Sequence, residues 1–178
     1  MSPAADLRAL IRDIPDFPKP GIVFKDITPL LLDPQAVDAA VQGIADWAAP
    51  RRIDLVVAAE ARGFILGAAI ARELRAGFVP ARKPGKLPAE VVTAGYILEY
   101  GIDALEMHSD ALADGARVLI HDDLLATGGT ARALAELVQE LGGVVAGCAF
   151  LVELAFLDGR RRLEGFDVHA LVTYDSDG

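Results

Sequence analysis

The stretch VLIHDDLLATGGT, Val118 to Thr130, constrains the chain more than any other, because it joins four unlike pieces in one short run. An apolar strand leads into an acidic pair, then a loop of small residues, then a helix start. A strand feeding a helix through so tight a loop belongs to α/β architecture. Gly128 and Gly129 let backbone approach an anion closely, and Thr127 and Thr130 offer hydroxyls. The helix beyond presents free N–H groups and the positive end of its dipole, which suits a phosphate. Asp122 and Asp123 would repel that phosphate unless they face sugar hydroxyls or a magnesium ion, so a ribose 5-phosphate with Mg2+ meets both demands. An isolated DD or TGG is more often a solvated turn and a helix cap. The full string argues against that bland reading, since specificity grows with matched context.

The rest of the chain repeats the alternation. Asp33 can cap a helix that opens on Pro34, carries Val37, Val41, Ile44 and Trp47 at helical spacing, and ends near Pro50. The spacing predicts a strand over Ile53 to Ala59, then a helix over Gly63 to Ala76 whose Gly67, Ala68 and Ala69 permit close packing on a sheet. Phe78 to Ala81 reads as a strand, and Val91 to Leu98 with Ala104 to His108 as a hairpin turning at Tyr100 and Gly101, outside the main sheet. After the strand Val118 to His121 comes a helix from Thr130 to Leu141, stopped by Gly142 and Gly143. Val144 to Val152 reads as a buried strand, Phe156 to Leu163 as a short helix and Val168 to Val172 as a last strand. This order predicts a mainly parallel, right-handed twisted sheet flanked by helices, with ligands beyond the carboxyl ends of the strands.

Length and hydrophobic content suit one domain over residues 1–178. With 17 Lys and Arg against 26 Asp and Glu, the net charge of -9 opposes nucleic acid and anionic membranes as partners. Asp6, Arg8, Arg12 and Asp13 interrupt any signal-peptide core, so the expected location is cytoplasmic. The apolar run Leu141 to Val152 falls well short of the ~20 residues of a spanning helix. Cys148 is the sole cysteine, which excludes an internal disulfide and a cysteine zinc cluster. In so acidic a chain, grouped cations carry information. Arg62 follows a strand and precedes a helix-opening Gly63, so its guanidinium should emerge at the carboxyl edge and suit a pyrophosphate. Arg82, Lys83 and Lys86 lie on RKPGKLP, a loop constrained by Pro and Gly after the next strand; alone, such a loop is more often a solvated turn.

Asp122 to Thr130, DDLLATGGT, resembles the PRPP-binding signature of the phosphoribosyltransferase family in its purine-salvage form. The resemblance implies the type I phosphoribosyltransferase fold with a small N-terminal hood and a flexible hairpin lid. It implies that Ala126, Thr127, Gly128, Gly129 and Thr130 hold the ribose 5-phosphate, with Asp122 and Asp123 on the ribose 2′ and 3′ hydroxyls. Mg2+ would be held mainly by PRPP. His121 departs from the small aliphatic residue expected there and reads as a strand-end substitution. AEARGF around Arg62 and RKPGKLP resemble the family's pyrophosphate-binding strings, which implies PRPP contacts for Arg62, Arg82, Lys83 and Lys86. Family members are commonly homodimers, and Arg82 is the candidate to reach the neighbouring subunit's site.

TAGYILEYG, Thr93 to Gly101, resembles the loop that closes over the family's active site. Glu99 then takes the place of the catalytic acid, and Tyr100 lies beside it on the lid. The run from Pro15 to Leu32 is too proline-rich for a helix and too apolar for a free linker. It resembles the hood of adenine-specific members, residues 1–32 here, which implies that Val23 and Lys25 read adenine with backbone groups while Phe24 stacks on its face. ELAFLDGRRRL, Glu153 to Leu163, extends the resemblance nearly to the end of the chain.

Overall fold

The computed structural model describes residues 7–98 and 101–176, and Glu99 and Tyr100 lie outside the described residues. Two short strands, β1 (Arg12–Ile14) and β2 (Phe24–Asp26), pair antiparallel near the start of the chain. Asp26 then leads into a one-turn helix, α1 (Thr28–Leu31), its carboxylate accepting from the Thr28 amide at 2.9 Å and from the Thr28 hydroxyl at 2.8 Å. This run was expected to be non-helical, but Pro29 sits in the first turn, where its missing N–H is harmless. Asp33 caps α2 (Pro34–Ala48) as its sequence predicts, accepting from the amides of Gln35 and Ala36.

The main sheet is separate from the β1–β2 ribbon and consists of β3 (Leu55–Ala59), β4 (Gly77–Ala81), β7 (Arg117–Leu125), β8 (Val144–Leu154) and β9 (Val168–Tyr174), ordered β4-β3-β7-β8-β9 and parallel throughout. Helix α3 (Gly63–Leu74) joins β3 to β4, and α4 (Gly129–Glu140) joins β7 to β8. A separate hairpin, β5 (Val91–Leu98) and β6 (Gly101–His108), makes its own two-stranded sheet.

Strand alternation decides which helix each residue meets. Val118 and Ile120 of β7 face Leu134 and Val138 of α4, together with Leu105 and Met107 of the hairpin. Leu119, between them, joins Ile44 of α2 and Leu66 and Ile70 of α3 on the opposite face. A sheet covered on both faces needs near-continuous apolar strands, which β7 and β8 supply. Gly67 is what lets α3 lie so close: a Cβ there would come within 2.9 Å of Ala58 Cβ and 3.1 Å of Phe78 Cε2.

Three expectations are corrected. The strand holding the acidic pair does not stop at His121 but continues to Leu125, because Asp122, Leu124 and Leu125 remain in register with Phe150, Val152 and Glu153 of β8. His121 is therefore a fully buried mid-strand residue, not a strand-end one. The short helix over Phe156 to Leu163 is instead two 3-10 turns, Ala155–Leu157 and Gly159–Leu163, divided by Asp158 in the left-handed conformation.

Candidate active site

The carboxyl ends of β3 and β7 open onto the loop Glu60–Arg62, the acidic pair and the loop entering α4. Asp122, Asp123, Arg62 and Ala126 to Ala131 line a cavity of about 220 Å3. An adjoining cavity of about 410 Å3 shares Arg62, Asp122, Asp123 and Thr130 and adds Glu60, Lys83, Tyr96 and Asp103. Five of the residues expected at the site, Ala126 to Thr130, thus fall together against the expected acidic pair.

The loop has the local geometry its residues require. Gly128 has φ +81, a conformation glycine adopts without strain, and gives α4 no side-chain cap. The first-turn amides of α4 are thereby left for a ligand oxygen. Beside them, the Asp122 carboxyl accepts from the Asp123 amide at 2.9 Å, while Asp123 Oδ2 lies 2.6 Å from Arg62 Nε. Burial, then the negative charge and hydrogen bond of Asp123, hold the Asp122 carboxyl well above the usual carboxylate range. Gly63 makes room for it, since a Cβ there would come within 2.8 Å of Asp122 Oδ1.

Arg62 also connects the acidic pair to the hood. Its guanidinium carbon stands 4.9 Å from the centre of the Phe24 ring, and Phe24 meets Phe17 edge-on at 5.1 Å. Val23 is partly buried beside Phe24. The Lys25 side chain is 1% exposed and committed elsewhere: its ammonium is 2.8 Å from Asp13 Oδ1 and lies over the Tyr174 ring.

The cations are already matched to acids. Arg82 directs Nε and Nη2 at the Glu60 carboxylate, each at 3.3 Å, and Nη1 at the Lys86 carbonyl. The Lys83 amide donates to Glu60 at 2.9 Å, and this bond leads the effects that hold the Glu60 carboxyl below its usual range. Lys83 Nζ is 3.1 Å from Asp103, which also accepts from the Tyr96 hydroxyl. Arg62 and Lys83 line the larger cavity, whereas Arg82 and Lys86 do not. Glu60, Tyr96 and Asp103 were missed by sequence reasoning. Glu60 stands inside AEARGF, where an acid among cations was the available signal; nothing in the hairpin sequence marks Asp103.

His121 does not line either cavity. Its Nδ1 pairs with the Ala149 carbonyl at 2.9 Å, its Nε2 has no partner, and burial brings its pKa down to about 4. It is a neutral core residue.

The phosphoribosyl transferase domain model matches residues 31–170. The chain belongs to the phosphoribosyltransferase family. Adenine phosphoribosyltransferase of Solibacter usitatus is 58% identical over 170 residues, which cover 96% of this chain and 98% of that protein. The crystal structure of adenine phosphoribosyltransferase from Thermoanaerobacter pseudethanolicus has TM-score 0.94 and 53% identity, over 96% of this chain and 99% of that one. The Saccharomyces cerevisiae enzyme, crystallised with adenine and an imino-altritol bisphosphate, has TM-score 0.91 and 38% identity over 95% and 98%. Among the described residues no helix is long and apolar enough to cross a membrane.

Proposed function

We infer that this chain transfers the 5-phosphoribosyl group of PRPP to adenine, forming AMP and pyrophosphate in purine salvage. The observation that carries the reading is the cavity in which Asp122 and Asp123 stand beside the uncapped start of α4, with Arg62 and Lys83 at its rim. Such a cavity offers amides to a monophosphate, carboxylates to ribose hydroxyls and cations to a diphosphate, which together are the groups of PRPP. The similarity to adenine phosphoribosyltransferases over nearly the whole chain supports adenine as the acceptor.

In this reading Ala126 to Thr130 hold the 5-phosphate, and Asp122 and Asp123 the 2′ and 3′ hydroxyls. Arg62, Lys83, Arg82 and Lys86 serve the pyrophosphate. Arg62, Arg82 and Lys83 each exchange a resident carboxylate for a phosphate oxygen, so these three charges are balanced before PRPP arrives. Phe24 stacks on adenine, and the backbone of Val23 and Lys25 reads its edge. Donor and acceptor exchange between 6-amino and 6-oxo purines, so such readout discriminates. Positive charge builds at the ribose C1 as pyrophosphate leaves, and the acidic pair is placed to favour it. Glu99 assists proton movement at the purine when the lid, with Tyr100, closes and excludes water.

Mg2+ fits this donor set. The Asp122 and Asp123 carboxylates at the cavity are hard oxygen donors, and an ion held mainly by PRPP and water needs few such donors from the chain. When bound, it neutralises charge on the departing pyrophosphate. The reading also places the enzyme in the cytoplasm as a homodimer, with Arg82 reaching the neighbouring site. Incubation with adenine, PRPP and Mg2+ should release AMP and pyrophosphate in equal amounts, and should fail when the metal is chelated. Absence of AMP would overturn the reading.

A further inference from the structure

The loop entering α4 is backed by another element. Its rear face rests on the 3-10 turn Gly159–Leu163, and the contact is backbone against backbone. A Cβ at Gly159 would fall 2.2 Å from the Ala126 carbonyl oxygen, and a Cβ at Gly128 would fall 2.4 Å from the Gly159 carbonyl oxygen. Two glycines therefore nest, and any shift of the turn moves the loop. What fixes the turn is the next residue. Arg160 donates Nε to Glu153 Oε1 at 2.6 Å and Nη2 to Glu153 Oε2 at 2.7 Å, while Nη1 donates to the Val168 carbonyl at 3.0 Å. The guanidinium thus clamps the turn to β8 and β9 at once. Glu153 is 4% exposed and lies across from Leu125, the residue just before the loop.

An ion pair between a buried carboxylate and a half-exposed guanidinium is a weak source of stability, because desolvation of the acid and solvent screening of the cation offset most of their attraction. Its fork geometry, with two parallel hydrogen bonds, is instead a strong source of fixed orientation. We propose that Glu153 and Arg160 are positioning residues for the reaction: their pair sets the geometry of the Ala126–Thr130 loop and hence the affinity of the site for the 5-phosphate of its ligands. Neither side chain lines the cavity. The effect passes through Gly159 to Gly128 and Ala126. This inference rests on Ala126–Thr130 being the 5-phosphate loop.

The two ends of PRPP separate the possibilities. Glu153→Gln and Arg160→Lys are titrated calorimetrically with ribose 5-phosphate and, separately, with pyrophosphate and Mg2+, well below their melting temperatures. The dissociation constant for ribose 5-phosphate should rise at least about tenfold, or about 1.4 kcal/mol. That for pyrophosphate should stay within about twofold, because Arg62 and Lys83 belong to other elements. In turnover, KM for PRPP should rise while KM for adenine holds. Unchanged ribose 5-phosphate affinity in both folded variants overturns the proposal, as does equal loss of both ligands, which would mark general damage. Arg160→Lys keeps the charge on a half-exposed side chain and carries the test should Glu153→Gln fail to fold. Thr130→Ala tests the underlying loop assignment. Normal ribose 5-phosphate binding there removes that assignment and the proposal with it, whereas weakened binding there but not in the pair variants removes only the positioning role.

Discussion

Asp122 is half-buried next to the buried carboxylate of Asp123, and no requirement of a β-strand explains that placement. Burial and the Asp123 charge both oppose its ionisation, and the nearby Arg62 guanidinium only partly relieves this. An Asn would keep the size and one acceptor while removing the charge, so folding should tolerate it. A ribose whose C1 becomes cationic would not. The double variant Asp122→Asn with Asp123→Asn should therefore lose at least roughly 100-fold in kcat/KM, about 2.7 kcal/mol of transition-state stabilisation. Its melting temperature should move by only a few degrees; steady-state kinetics beside a thermal melt checks both, and near-normal turnover in folded protein contradicts the assignment. At this scale the acidic pair and the small-residue loop were legible because their chemistry is contiguous in sequence. Glu60 and Asp103 were not, because the partners that define them, Arg82 and Lys83, are reached only through the fold.

Among the elements, the hairpin and the loop entering α4 share one support. Ala94 of β5 and Leu105 and Met107 of β6 pack in the same cluster as Leu134 and Val138 of α4, whose first turn lines the cavity. Tyr96 and Asp103 further tie the hairpin to Lys83. The base of the hairpin is thus anchored beside the site, and the proposed function has Glu99 act only when the lid closes. Glu99→Ala should lower kcat much more than it weakens PRPP binding, since an interaction made late acts on the barrier. Single-turnover rates set against PRPP affinity measure this, and a wild-type kcat would remove Glu99 from the mechanism. The strands and helices of the main sheet were legible from periodicity and from caps such as Asp33. The β1–β2 ribbon was not, because strands of three residues show no period and exist by pairing with each other. The extension of β7 through Asp122 and Asp123 was hidden because acids read as a strand end, while the ladder to β8 carries the strand past them.

For the molecule as a whole, stability and activity depend on different titratable groups. His121 has a folded pKa of about 4 against an ordinary 6.5, first because of burial. Between those values the unfolded chain binds a proton that the folded chain does not, so the stability contribution is complete above pH 6.5 and is lost as pH falls towards 4. Wild type should lose about 2 kcal/mol more than His121→Val between pH 7 and pH 5, read by denaturant unfolding. Equal losses would mean that the ring is not held neutral. The central claim concerns the base, where the Phe24 hood, the Arg62 contact and the acidic pair meet at one edge of the sheet. Its most direct test is kcat/KM with PRPP and Mg2+ for adenine, hypoxanthine, guanine, xanthine and orotate, measured under one set of conditions. Adenine should exceed every other base by at least roughly 100-fold, the discrimination expected when buried backbone donors and acceptors are mismatched; equal or preferred use of hypoxanthine or guanine would contradict the account.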